Sequence, residues 1–278
     1  MIKPDAYTKI GKIINIIIKN GFTISRMKMF KWTLGQAQGF YAEHKDKPFF
    51  YDLTKFMSSD VAVGFELVAD NAVQKWRELI GPTDSVKARS SAPNSIRALF
   101  GTDGQKNAVH GSDSGASAAR EIAYVFNPED TSSTAILNNC TCLIIKPDAV
   151  KAGYTGQIID SVLEEGFEIS ALEQFKLNRP TAEEFFEVYK GVVPEYTDMV
   201  EHITTGPVVI MEVRQENAVQ ALRELIGPHD PEIAKHLRKN TIRARFGTDR
   251  VSNAVHCTDL PEDGILECQY FFKIQKGK

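Results

Sequence analysis

The chain has 278 residues, of which 42% are hydrophobic and 25% are charged, and its formal net charge is −3. At roughly 100–200 residues per domain, this length predicts two domains, and the small negative charge argues against bulk binding of nucleic acid or anionic membranes. The longest apolar run, Ile13 to Ile18, is broken by Asn15 and is far shorter than the roughly 18 residues of a membrane span.

The predicted elements alternate between strands and helices. In the second half of the chain, strands are predicted at 140–145, 167–177, 208–213 and 242–246. Helices are predicted at 156–165, 181–189, 195–203, 218–226, 232–237 and 263–271. The order βαββαβ predicts an α/β (α+β) sandwich of the ferredoxin-like type, with an antiparallel four-stranded sheet.

The motifs of the first half of the sequence recur in the second half. Lys-Pro-Asp-Ala at 3–6 returns at 146–149, Arg-Glu-Leu-Ile-Gly-Pro at 77–82 returns at 223–228, and Asn-Ala-Val-His at 107–110 returns at 253–256. This period is far longer than the roughly 20–50 residues of solenoid repeats, so it indicates a duplicated domain. We predict a first domain at 1–126, a polar linker with proline and three hydroxyl residues at 127–138, and a second domain at 139–278.

The two copies begin differently. Six strand-like residues, 140–145, precede the second Lys-Pro-Asp, but only Met1 and Ile2 precede the first. We therefore expect a shortened central strand in the first copy, and a chain that is a truncated product of something longer.

The four cysteines show no metal-ligand spacing and no disulfide density, which is typical of a reducing compartment. Cys140 and Cys142 alternate along a predicted strand and are interpreted as structural. The sequence therefore predicts no protein-held metal.

The repeated histidine segment carries the clearest chemical signal. Asn-Ala-Val-His-Gly-Ser-Asp at 107–113 places His110 in a turn beside short hydrogen-bond donors, which suits an imidazole that carries phosphate covalently. Taken alone, His110 would more often be a satisfied turn histidine; the surrounding motif and Glu121 favour catalysis. Since the chain has no glycine-rich P-loop and no protein-kinase motif, phosphate would be held by side chains.

Lys-Pro-Asp after a strand, Ile-Arg-Ala before a turn and Asn-x-x-His-Gly-Ser-Asp, in this order, resemble the nucleoside diphosphate kinases. The resemblance covers nearly the whole chain, twice, and is greatest to tandem-domain members, which carry an additional N-terminal domain. It implies transfer of the γ-phosphate of a nucleoside triphosphate to a nucleoside diphosphate by a ping-pong phosphohistidine mechanism. Mg²⁺ would be carried on the nucleotide phosphates.

The resemblance implies a role for each matching residue of the first copy. His110 would accept the phosphate, Glu121 would fix its tautomer, and Lys3 and Tyr41 would contact the phosphate in flight. The remaining nucleotide contacts would be Arg77, Thr83 and Arg97 at the α- and β-phosphates, Asn107 and Lys3 at the sugar, and Phe49 with Leu53 behind it at the base.

Structural explanations compete with several of these roles. Lys3 and Arg77 could be ordinary surface residues, and Phe49 could belong to the core. Arg97 and its counterpart Arg243 lie between apolar residues at strand-like spacing, where an unpaired guanidinium is costly, and this favours phosphate binding.

The second copy keeps the matching residues Lys146, Arg223, Arg243, Asn253, His256 and Glu267. It departs from the pattern at five positions, with Glu187 for Tyr41, Glu195 for Phe49, His229 for Thr83, Cys257 for Gly111 and Leu260 for Ser114. Two carboxylates near a polyanion are repulsive, although Tyr189 and Tyr196 could partly substitute. We predict weaker nucleotide binding and little turnover in this copy.

Two other functions stay open: a microtubule-associated structural protein, and a nucleotide-binding regulatory module without turnover. The resemblance implies a cytoplasmic location at the cytoskeleton, centrosome or ciliary axoneme, with tubulin or the γ-tubulin ring complex as partner. No membrane or specific nucleic acid is implied. Oligomer and internal pseudo-dimer both remain possible assemblies.

Overall fold

The computed structural model describes residues 1–277 and divides the chain into two units, Met1–Thr134 and Ala135–Lys278. The boundary falls inside the segment 127–138 that the sequence proposes as a linker. None of the helices within the described residues is long and apolar enough to cross a membrane.

The first unit contains an antiparallel strand pair, β1 (Thr23–Phe30) and β2 (Ala62–Val68), with a bulge between Ile24 and Arg26. Its helices are α1 (Ile10–Lys19), α2 (Leu34–Phe40), α3 (Phe50–Met57), α4 (Ala72–Ile80), α5 (Ser85–Ser91), α6 (Ile96–Phe100) and α7 (Gly115–Val125). Short 3₁₀ turns lie at Pro4–Lys9 and Ala42–His44.

The expected shortening of the first central strand is visible in the backbone pairing. Ile2 forms isolated bridges to Val63 on β2 and to Val109. In the second unit a full strand occupies this place, so the first unit keeps the topology with a single paired residue.

The second unit has a complete four-stranded antiparallel sheet in the order β4-β5-β3-β6. The strands are β3 (Cys140–Ile145), β4 (Glu168–Phe175), β5 (Val208–Arg214) and β6 (Val255–Cys257). The helices are α8 (Pro147–Lys151), α9 (Thr155–Glu164), α10 (Arg179–Phe185), α11 (Tyr196–Ile203), α12 (Ala218–Ile226), α13 (Pro231–Leu237), α14 (Ile242–Phe246) and α15 (Gly264–Gln269). Further 3₁₀ turns lie at Glu187–Tyr189, Pro261–Asp263 and Gln275–Gly277, and a π-helical turn at Tyr270–Ile274 follows α15. The predicted α/β fold with an antiparallel sheet is confirmed.

Strand β3 is the centre of this sheet. All six of its residues are buried, as expected for a strand paired on both edges and covered on its faces. One face of the sheet packs on a core cluster that includes Phe186, Ile203, Phe271 and Phe272.

The prediction of a strand at 242–246 is wrong, because α14 occupies it, and α6 occupies the equivalent residues of the first unit. Alternating apolar residues over only five positions do not distinguish a strand from a helical turn. The better signal in the first unit was Ser95, whose hydroxyl accepts from the Ala98 amide as a helix N-cap. The fourth strand is instead β6, which contains His256.

Gly81 ends α4 in a backbone conformation, φ +78° and ψ −175°, that essentially only glycine adopts. A Cβ atom there would lie 2.3 Å from Ser95 Oγ. We expect Gly81→Ala to lower the free energy of unfolding of the first unit by about 1–3 kcal/mol, measured by chemical denaturation.

Gly35→Ala is the matched control, since Gly35 lies in α2 and an added Cβ meets no atom within 4 Å. It should be neutral or stabilising by up to about 1 kcal/mol. Equal effects of the two substitutions would contradict the argument.

Candidate active site

A strained turn precedes each motif histidine. Ala108 and Ala254 have φ of +67° and +70°, a left-handed conformation that costs an L-residue free energy. Asp5 Oδ2 accepts from the Ala108 amide at 3.0 Å, and Asp148 Oδ2 accepts from the Ala254 amide at the same distance. The aspartate of Lys-Pro-Asp therefore holds the turn that presents the histidine, a role that the sequence did not reveal.

Each histidine is oriented by a glutamate. His110 Nε2 lies 2.8 Å from Glu121 Oε2, and Ser112 Oγ donates to the same oxygen at 2.7 Å. In the second unit His256 Nε2 lies 3.1 Å from Glu267 Oε2, which also accepts from Thr258. Burial lowers the pKa of His110, and the Glu121 carboxylate opposes this shift only in part, so the imidazole is neutral at pH 7.

A cleft of about 660 Å³ opens beside His110, within the range of small-molecule sites. Its lining brings together every residue that the sequence assigns to the site of the first copy: Lys3, Tyr41, Phe49, Leu53, Arg77, Thr83, Arg97, Asn107, His110 and Glu121.

Hydrogen bonds to neighbouring residues position the cationic side chains of the cleft. Lys3 Nζ donates to Asn107 Oδ1 at 2.7 Å, and burial followed by the charge of Arg97 lowers the pKa of Lys3 to about 8. Arg97 donates to the backbone oxygens of Gly81 and Val109, while its buried Nε has no partner among the described residues. The site therefore brings Lys3, Arg77 and Arg97 to one cleft, with a buried Arg97 Nε that is left for a further acceptor.

The other predicted residues occupy the walls. Tyr41 packs edge-on to His110 with ring centroids 5.7 Å apart, and its buried hydroxyl has no partner among residues 1–277. Phe49 is 49% exposed and so does not belong to the core. Asn107 also donates to the backbone oxygen of Thr83, which ties two loops of the cleft together.

The second unit repeats these hydrogen bonds, but part of its positive charge is neutralised by an ion pair. Lys146 Nζ donates to Asn253 Oδ1 at 2.6 Å, and burial followed by the charge of Arg243 lowers the pKa of Lys146 to about 7. Arg223 forms an ion pair with Asp259, which also accepts from Tyr189 at 2.6 Å. Its counterpart Arg77 has no such ion pair within the described part of the first unit.

The substituted residues of the second unit lie in different surroundings. Glu195 pairs with Arg250 at 3.0 Å, and Glu187 is exposed. Of the two candidate substitutes for the missing tyrosine, Tyr189 lies with its ring 6.4 Å from that of His256, and both Tyr189 and Tyr196 pack against the core. The repulsion expected from Glu195 is thus offset by an arginine that the sequence comparison did not single out.

One exchange between the copies is compensated by a second. A Cβ atom on Gly111 would lie 2.6 Å from the Trp76 ring. In the second unit Cys257 replaces Gly111, and the residue 146 positions after Trp76 is the smaller Leu222. Both second-unit side chains are buried, so the smaller residue makes room for the larger one.

Similar proteins were found by sequence. A family model described as nucleoside diphosphate kinase matches residues 1–131 and 139–276. Nucleoside diphosphate kinase homolog 7 of Rattus norvegicus is 50% identical over 277 residues, which is 99% of this chain and 70% of that protein. Nucleoside diphosphate kinase of Aquifex aeolicus is 50% identical over 129 residues, which is 46% of this chain and 91% of that protein.

Among solved structures, a crystal form of the Aquifex aeolicus nucleoside diphosphate kinase is 39% identical to this chain. The match covers 50% of this chain and 97% of that chain, with a TM-score of 0.48.

The compensated exchange can be tested by a double-mutant cycle. Gly111→Cys should destabilise the first unit by about 1–3 kcal/mol through overpacking against Trp76, and Trp76→Leu should destabilise it by leaving a cavity. We expect the double substitution to cost less than the sum, by about 0.5–3 kcal/mol, in denaturation followed by circular dichroism. Additive effects would show that the two positions do not compensate each other.

Proposed function

Since this chain belongs to the nucleoside diphosphate kinase family, we propose that its first unit transfers the γ-phosphate of a nucleoside triphosphate to a nucleoside diphosphate through a phosphohistidine at His110. The observation that carries this proposal is the cleft beside the His110–Glu121 pair, which all ten matching residues line. Its volume and its three cationic side chains, Lys3, Arg77 and Arg97, suit a nucleotide.

The histidine pair supplies the nucleophile in this proposal. With the proton of His110 on Nε2 and donated to Glu121, the lone pair lies on Nδ1. Nδ1 attacks the γ-phosphorus, the P–N bond forms as the bond to the bridging oxygen breaks, and the diphosphate leaves. A terminal oxygen of a second nucleoside diphosphate then attacks the phosphorus, and the P–N bond breaks to restore neutral His110.

The charge of the phosphates would be balanced by Lys3, Arg77 and Arg97, with Thr83 as a further donor. Arg97 Nε and the Tyr41 hydroxyl are buried donors without partners among the described residues, and a phosphate oxygen would satisfy them. Lys3, with a pKa of about 8, is still mostly charged at pH 7.

The nucleoside would lie at the other end of the cleft. Phe49 offers an exposed ring on which any base could stack, with Leu53 behind it. Asn107 already holds Lys3 and the Thr83 loop, so we propose that it acts first by positioning Lys3 and contacts the sugar hydroxyl through the same network.

A nucleotide-borne Mg²⁺ fits this cleft. Within residues 1–277, the group of His, Cys, Asp and Glu side chains close enough to hold an ion lies elsewhere, so the phosphates themselves would supply most ligands. The ion would neutralise phosphate charge and favour departure of the diphosphate.

We propose that the second unit turns over little. Lys146, with a pKa of about 7, is only half charged at neutral pH, and Arg223 is already paired with Asp259. His229 stands in the place of Thr83, and burial followed by the charge of Arg243 lowers its pKa to about 4, so it brings no positive charge. The two cationic contacts of Lys146 and Arg223 are therefore weakened together.

Two single variants test whether the first unit carries most of the phosphorylation. Treatment with γ-labelled ATP should leave an acid-labile, alkali-stable label on the protein, which His110→Ala abolishes and His256→Ala largely retains. The label is quantified per chain after neutral and acidic handling. Persistence of the label in His110→Ala would exclude the phosphohistidine, and equal losses in the two variants would show that both units turn over.

We further propose, from the family resemblance, that the chain works in the cytoplasm at microtubule-based structures, where the second unit, with its low turnover, would serve as a binding module. Co-sedimentation of the purified chain with microtubules at physiological salt should then be retained in His110→Ala. A chain that remains in the supernatant at all microtubule concentrations would rule this out.

A further inference from the structure

A carboxylate is buried beneath the start of the second unit. Glu212 on β5 has no exposed surface, and its oxygens accept from the Ile136 amide at 2.6 Å, the Leu137 amide at 3.1 Å and Ser170 Oγ at 2.5 Å. All three donors are neutral. A buried carboxylate that is met only by neutral donors keeps a large part of its desolvation cost.

The first unit pairs the corresponding glutamate, which is partly exposed, with an arginine. Glu66 takes the equivalent place on β2, lies opposite Arg26 in the strand register after a bulge, and forms an ion pair with it. In the second unit Glu212 lies opposite Ala171 after the same kind of bulge. The duplication has therefore kept the glutamate and lost the cation that neutralises it.

In the second unit, cysteine thiols lie close to the Glu212 carboxylate. Cys140 Sγ, Cys268 Sγ and a carboxylate oxygen of Glu212 lie within 4.8 Å of one another, and all three residues are buried. Cys142 lies two residues after Cys140 on the same face of β3, directly opposite Glu212 in the register, and its thiol is hydrogen-bonded to that of Cys268. The residue that corresponds to Cys268 in the first unit is Ile122.

We propose that Cys140, Cys268 and Glu212 bind a divalent cation of the zinc class. Two thiolates with a carboxylate are the ligand types that such a borderline-soft ion takes in tetrahedral sites. Tetrahedral ligands around zinc lie about 3.5–3.8 Å apart, so the three groups need to close by about 1 Å at most.

Binding of the ion would release protons from the cysteine thiols. The hydrogen bond with Cys268 and then burial raise the pKa of the Cys140 thiol, so the metal-free cluster is protonated. As two sulfur–metal bonds form, the two S–H protons pass to solvent, and the Glu212 carboxylate contributes the third negative charge. The ion thereby takes over the charge compensation that Arg26 gives Glu66.

The site would connect three elements of the second unit: β3, β5 and α15. Helix α15 also carries Glu267, the partner of His256, on the residue before Cys268. Its first residue, Gly264, leaves no room for a Cβ against the Cys140 backbone oxygen, so the helix and the strand are in close contact. We infer that the ion stabilises this unit.

The test is cobalt binding to the full chain, reduced and freed of metal. We expect one Co²⁺ per chain, with an intense near-ultraviolet sulfur-to-cobalt band that Zn²⁺ abolishes by displacement. The band should be lost in the double variant Cys140→Ser/Cys268→Ser and kept in Cys257→Ser, which changes a buried cysteine outside the three-residue group. Ser170→Ala, which removes a hydrogen bond to Glu212, should weaken Zn²⁺ binding by about 10–100-fold.

Several results would overturn the proposal. These are the absence of the band in the reduced chain, its survival in the double variant, its equal loss in Cys257→Ser, or recovery of a Cys140–Cys268 disulfide from a chain that binds no cobalt when reduced. If the double variant does not fold, unchanged Zn²⁺ affinity in Ser170→Ala would be sufficient to reject the site.

Discussion

One hydrogen bond in each unit, from a strained alanine amide to the aspartate of Lys-Pro-Asp, determines where the motif histidine lies. Ala108 and Ala254 hold a left-handed conformation that costs about 1–3 kcal/mol in a residue other than glycine. Asp5 and Asp148 stabilise it from more than a hundred residues away. The lysine two residues before each aspartate is fixed by the same segment, so histidine and lysine are positioned together.

The two copies have diverged in pairs of neighbouring residues. Cys257 replaces Gly111 where Leu222 replaces Trp76, so packing volume is redistributed within one contact. Glu195 arrives together with the pairing residue Arg250. Such pairs preserve the fold of the second unit while they change the side chains around its site.

Much of the fold and of the first site could be predicted from the sequence. The duplication, the family and the α/β class are confirmed, because long periodic segments and repeated motifs are strong signals. The segments at 96–100 and 242–246 were not predictable in the same way. Each is five residues long, and only the cap at Ser95 distinguishes the helix from the strand that apolar alternation favours.

The sequence by itself determined which residue types recur and in what order, since those are properties of the repeat. Only the tertiary structure decided which side chains meet. Cys140 and Cys268 have no metal-ligand spacing along the chain, yet they reach Glu212 because β3, β5 and α15 pack together. Arg223 forms an ion pair with Asp259, whereas Arg77 of the same motif forms none with the described residues. Burial and charge pairing depend on distances across the fold, and the spacing of residues along one segment does not contain them.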